Sequence, residues 1–117
     1  MTKFILCLAL FCLAFSCKDN NDKEECTEPV SESQLPQWLT TKIEELKKDE
    51  YKAEIHKLQY SWGTAVFINP CTECADFYTY IYDNCGTQIC QSGGFAGIST
   101  CPEVYKQDSQ KSLLWKE

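Results

Sequence analysis

The sequence predicts an α+β fold, with one N-terminal helix packed on a four- to five-stranded antiparallel sheet and stapled by disulfides. Three observations carry this expectation. Apolar residues recur at helical spacing once, at Leu39, Ile43 and Leu46. Downstream, short runs rich in β-branched and aromatic residues alternate with Gly, Asn and Asp turn signals. The chain of 117 residues carries nine cysteines, too many for an ordinary small core and typical of a disulfide framework.

The helix spans Pro36 to about Lys48. Proline suits a first helical turn, where its missing N–H would have no partner. Leu39, Ile43 and Leu46 form the buried stripe, flanked by Trp38, and Lys42, Glu44, Glu45, Lys47 and Lys48 form the solvated side. Ala53–Tyr60 and Thr64–Asn69 read as strands joined by a Ser61-Trp62-Gly63 turn. Asn69-Pro70 ends the second strand. Phe77–Tyr82 is the strongest strand, placing Phe77, Thr79 and Ile81 on one side and Tyr78, Tyr80 and Tyr82 on the other. Asp83-Asn84-Cys85-Gly86 turns the chain into a strand at Thr87–Cys90. Gln91–Thr100 reads as a Gly-bearing loop, Pro102–Gln107 as one helical turn, and Leu113–Trp115 as a short last strand.

The N-terminus reads as an export signal. Lys3 precedes twelve apolar residues, Phe4–Phe15. A membrane span needs ~20, whereas a secretory h-region needs fewer. The expected cut follows Ser16, making 1–16 a signal peptide. Ala14-Phe15-Ser16-Cys17 resembles a bacterial lipobox, in which the cysteine is lipidated. Cysteine parity favours lipid on Cys17: once Cys7 and Cys12 leave with the signal, an odd set remains, and lipidation makes it even. The remaining six, Cys26, Cys71, Cys74, Cys85, Cys90 and Cys101, are then disulfide cysteines. Several acyl chains together would hold the protein stably on a membrane. Residues 17–34 hold a single aliphatic residue, Val30, and read as a flexible acidic tether. The small α+β domain is 35–117. The acids after Cys17 point to the surface of an outer membrane, with periplasmic or secreted residence as the alternative.

One domain of this size excludes a two-domain enzyme or a doubly wound nucleotide fold. The net charge of −6 argues against nucleic acid, which needs a basic surface. The chain has no arginine, and so lacks the usual bidentate clamp for phosphate. Cys71-Thr72-Glu73-Cys74 is a C-x-x-C with three readings: half a zinc site with Cys85 and Cys90, a redox motif, or two disulfide cysteines. An oxidising compartment favours the last, and a thioredoxin-type motif would need a helix after it. No metal and no cofactor are therefore expected. Connectivity stays open; Cys90 with Cys101 would close the Gly-rich loop, and Cys26 with Cys71 or Cys74 would tie down the tether.

The one histidine, His56, lies mid-strand with no nucleophile singled out beside it. Asp76 and Asp83 bracket the aromatic strand, with nothing to place them in one cleft. Tyr78, Tyr80 and Tyr82 are candidate binding residues for sugar rings or a protein partner if exposed, and core residues if the helix covers them, the preferred reading. Gly93-Gly94-Phe95-Ala96-Gly97 lacks the Lys and Ser/Thr of a phosphate loop. Phe95 there is a candidate contact of the kind protease inhibitors insert.

Several short motifs together resemble an uncharacterised family of small lipoproteins and secreted proteins of the Gram-negative bacterial envelope. They are Leu35-Pro36-Gln37-Trp38-Leu39, Tyr60-x-x-Gly63, Val66-Phe67-Ile68-x-Pro70-Cys71, and Tyr82-Asp83-x-x-Gly86-x-x-Ile89-Cys90. Gly93-Gly94-x-x-Gly97, Cys101-Pro102 and Leu114-Trp115-Lys116 complete the set. The resemblance implies localisation and fold, not activity. It also implies that Cys71-x-x-Cys74 replaces adjacent cysteines and that Cys85 is particular to this chain. The Gly-Asp-rich stretch expected before Cys101 is shortened to Ile98-Ser99-Thr100, which weakens any ion site there.

The expected function is that of a non-enzymatic envelope or surface lipoprotein module. It would touch the membrane through its anchor and bind or support an envelope protein or glycan. The alternatives are a small inhibitor of a protease or other hydrolase acting through 91–100, and a thiol–disulfide oxidoreductase using Cys71 and Cys74.

Overall fold

The computed structural model describes residues 28–117. The expected signal peptide, Cys17, Cys26 and the start of the tether lie outside the described residues. Helix α1 is Gln37–Lys47 and the strands are β1 Glu54–Tyr60, β2 Gly63–Asn69, β3 Tyr78–Tyr82, β4 Gln88–Gly93, β5 Ile98–Ser99 and β6 Gln110–Lys116. All six form one sheet in the order β5-β4-β3-β2-β1-β6, each neighbouring pair antiparallel. The strand count therefore exceeds the expected four to five.

The sixth strand is β5, where a loop was expected. The 91–100 segment is a hairpin rather than an open loop, with Ser92 opposite Ser99 and Gly93 opposite Ile98. Three glycines at positive φ, Gly93, Gly94 and Gly97, let the chain reverse there. The last strand is also longer than Leu113–Trp115, since β6 pairs along β1 from Gln59–Gln110 to Glu54–Lys116, with a bulge at Ile55/His56.

The centre of the sheet, at β1 and β2, is buried on both faces, which explains why the alternation along Ala65-Val66-Phe67-Ile68 looks imperfect. On one face, Leu39 and Ile43 of α1 share a buried cluster with Ile55, Val66, Ile68, Tyr82 and Leu114. Val30, the one aliphatic residue of 17–34, is buried in that cluster too, so packing on the domain begins before residue 35. On the other face, Leu58, Tyr60, Ala65 and Ile81 pack with Cys90 and Cys101, partly covered by Tyr105. Tyr105 comes from a 3-10 turn at Glu103–Tyr105, where one helical turn was expected.

Disulfides join Cys71 to Cys74 and Cys90 to Cys101, and Cys85 is disulfide-bonded as well. The Cys90–Cys101 bridge closes the glycine hairpin, as the spacing suggested. The link from Cys26 to Cys71 or Cys74, one of the pairings the sequence left open, is overturned. The chain turns tightly at the C-x-x-C, with the Cys74 N–H donating to the Cys71 carbonyl at 3.4 Å and 5.3 Å between the Cα atoms, so the two thiols meet each other.

Tyr60 is buried, and its hydroxyl donates to the Tyr105 carbonyl at 2.8 Å. Burial pushes its phenol above the ordinary 10.0, Tyr105 adds to this, and a hydrogen bond with Ser109 opposes it. The fold therefore favours the neutral phenol. The stability from this preference is complete below pH 10 and is lost as pH rises through the folded-state pKa. Tyr60→Phe should cost about 1 kcal/mol at pH 7 through the lost hydrogen bond. It should also flatten the alkaline fall in stability relative to the parent, as read by urea unfolding at a series of pH values.

Candidate functional site

Helix α1 buries its stripe against β1, β2 and β6, and leaves β3 and β4 only partly roofed. A groove of about 310 Å³ lies between the helix and this part of the sheet. The helix supplies Lys42, Glu45 and Leu46 to its wall, and Asp49 follows just past the helix end; Ile68 comes from the end of β2, Pro70 from just after it, and Tyr80, Tyr82 and Gln88 from β3 and β4. The spacing of Lys42, Glu45 and Leu46 puts them on one flank of the helix, directly beside the buried stripe, and Asp49 continues the wall beyond the helix end.

The three tyrosines of β3 do not form one aligned platform. Tyr82 is buried under the helix, 5.7 Å from Trp38 between ring centroids. Tyr80 is half-buried, and its ring is 6.4 Å from that of Tyr82 and tilted by 49°. Tyr78 is 40% exposed and its ring lies against Gly94, where an added Cβ would come within 2.7 Å of it. The helix ends before it can cover the whole row, so one face of a strand passes from core to groove to open surface.

Inside the groove, Lys42 Nζ stands 3.5 Å from Glu45 and 5.5 Å from the centre of the Tyr82 ring. This is a cation held between a carboxylate and an aromatic face. The tyrosines were visible from strand periodicity. Lys42 and Glu45 looked like plain solvated helix residues, and Asp49 and Gln88 carried no signal. Read on a helical wheel, the flank next to Leu46 would have located the first two.

A second candidate surface lies at the end of the sheet where β1, β3 and β5 begin. Tyr51, Phe77, Tyr78, Phe95 and Ile98 are exposed there. Tyr51 and Phe77 meet edge to face at 4.9 Å. The Phe77 carbonyl accepts from the Gly94 N–H at 3.4 Å, linking this pair to the hairpin that carries Phe95. Phe95 itself is 94% exposed. Tyr51 was not singled out by the sequence, because it sits alone among charged residues.

Other expected candidates do not assemble into a site. His56 faces Phe67 on the sheet side opposite the groove, with Nε2 at 3.8 Å from Glu54 and a buried Nδ1 without a partner. The bond between Cys71 and Cys74 removes both from the zinc set with Cys85 and Cys90. Among the described residues no cluster of three or more His, Cys, Asp or Glu could hold a metal ion. No described helix is long and apolar enough to cross a membrane.

No curated protein and no solved structure matches the chain. One family does, described as "Domain of unknown function (DUF6970)", over residues 41–117, which take in every strand and most of α1. The uncharacterised family suggested by the short motifs is thus found over the folded region, and the chain belongs to the DUF6970 family.

Proposed function

We propose that this protein is an exported, lipid-anchored module of the cell envelope that binds another envelope or extracellular component and catalyses no reaction on it. The observation that carries this reading is the apolar end of the sheet. Large apolar side chains gathered on a monomer's surface mark contact sites, whereas single scattered ones do not. Here Tyr51, Phe77, Tyr78, Phe95 and Ile98 gather at one end, on loops and strand starts near the Cys71–Cys74 and Cys90–Cys101 bridges. The leader and Cys17 supply the address in this reading.

An intact mass of the native mature protein, with thiol trapping, tests the address. A lipid adduct on a chain beginning at Cys17, with no trapped thiol, is the expected result; an unlipidated chain sinks the anchor. Binding is tested by capture from solubilised envelopes with the parent and with a Tyr51→Asp, Phe95→Asp variant. The same partner captured equally by both would overturn the role of the apolar end.

One observation favours a second reading, inhibition of a hydrolase. Phe95 projects from a hairpin whose base is closed by the Cys90–Cys101 bridge, a pre-organised shape for entering an apolar pocket. Phe95→Ala should then weaken inhibition by roughly tenfold or more, as loss of an anchoring aromatic does. It should leave the unfolding midpoint unchanged, because the ring touches no core.

A further inference from the structure

We propose that the groove between α1 and β3–β4 is a binding site for a primary ammonium on an apolar stem, the side chain of a lysine in a polypeptide partner. This surface is distinct from the apolar end of the sheet, so the two can be tested separately.

The chain's own Lys42 shows what chemistry the groove accepts. Its ammonium is held by one carboxylate, Glu45, and one tyrosine ring, Tyr82. The same two kinds of group recur along the groove as Asp49 and Tyr80. No described cation pairs with Asp49 or stands over the Tyr80 ring. Between these polar groups the wall is apolar, made by Leu46, Ile68 and Pro70. A lysine stem is four methylenes carrying a compact charge, so it lays its apolar length on such a wall and its head against the carboxylate.

The field in the groove has the matching sign. Glu45 and Asp49 outnumber Lys42, the one cation of the lining. Asp49 also follows the C-terminus of α1, where the last carbonyls place a partial negative charge. An anionic ligand would meet both, with only an already paired Lys42 to receive it. A sugar ring fits less well, since the two phenol rings are tilted by 49° and offer no common stacking plane.

The test is titration of the isotope-labelled protein with Nα-acetyl-lysine N-methylamide, followed by NMR. Saturable shifts at Tyr80, Gln88 and Asp49 are expected, and they should weaken as salt rises. Acetylating the probe's ε-amine should abolish them. Asp49→Asn should weaken binding by about tenfold, the usual loss for one charge-assisted contact. Lys42→Gln should tighten binding, because it frees Glu45. Glu44→Gln, on the outer side of the helix, should change nothing.

Glucosamine is the comparison probe, carrying the same amine on a hydroxylated ring. Tighter binding of glucosamine than of the lysine probe would overturn the apolar-stem assignment. Binding indifferent to ε-acetylation, or unaffected by Asp49→Asn in a variant with a parent-like spectrum, would overturn the ammonium assignment. Absence of shifts at the groove with the lysine probe in the millimolar range would overturn the site.

Discussion

Replacing Leu39 by alanine should remove about 3 kcal/mol from the stability of the domain. Leu39 is fully buried and lies in the cluster that joins α1 to Ile55, Val66 and Leu114. Truncation leaves a cavity under the helix that the sheet cannot fill, because β1 and β2 beneath it are fixed by pairing on both sides. For a domain this small the loss corresponds to a melting-temperature drop of roughly 15 °C. Thermal unfolding with the disulfides intact measures it. Leu113→Ala is the control, since Leu113 is on the exposed side of β6 and should cost no more than about 0.5 kcal/mol. A Leu39 effect as small as the Leu113 effect would mean that the helix is not docked on the sheet.

The second large effect is expected at Gly86. Its φ is +92°, and an added Cβ would lie 2.6 Å from Cδ2 of Trp38. The indole cannot easily move aside. Its Nε1 donates to the Asn84 carbonyl at 2.9 Å, and its ring packs against Tyr82. Gly86→Ala therefore combines backbone strain with overpacking, together about 3 kcal/mol. Gly97→Ala separates the two contributions: Gly97 also has a positive φ, +64°, but nothing lies within 4 Å of its would-be Cβ. That variant should cost only about 1 kcal/mol, the backbone part. Equal costs in urea unfolding would show that Trp38 does not press on the turn.

Local chemistry made most of the elements legible. The Leu39/Ile43/Leu46 stripe located α1, and the β-branched run at Ala65–Ile68 located β2. Features that depend on partners distant in sequence were not legible. A two-residue strand such as Ile98–Ser99 has no periodicity of its own and exists because Ser92 and Gly93 face it. The pairing of β6 with β1 joins residues more than fifty apart, and no local signal encodes it. The candidate groove was half legible for the same reason. Tyr80 and Tyr82 followed from strand alternation, but which tyrosine stays open depends on where the helix stops across the sheet. Cys71 and Cys74 were a different case, since the spacing left their connectivity open and the local pairing emerged only from the tight turn between them.

The place of β6 has a consequence for how the chain is made. Strands β1 to β5 follow one another as a meander, and each is finished as soon as its hairpin closes. Strand β6 alone returns across the sheet to β1, the strand made first. Until β6 emerges, β1 presents a bare edge and the apolar side chain of Ile55 lacks its cover from Trp115. A nascent chain halted before Gln110 would thus carry an open strand edge, the feature most prone to pair with other chains. Completion of the sheet and release from that hazard coincide, so premature stops in the last strand should yield aggregated or degraded protein rather than a slightly weakened domain.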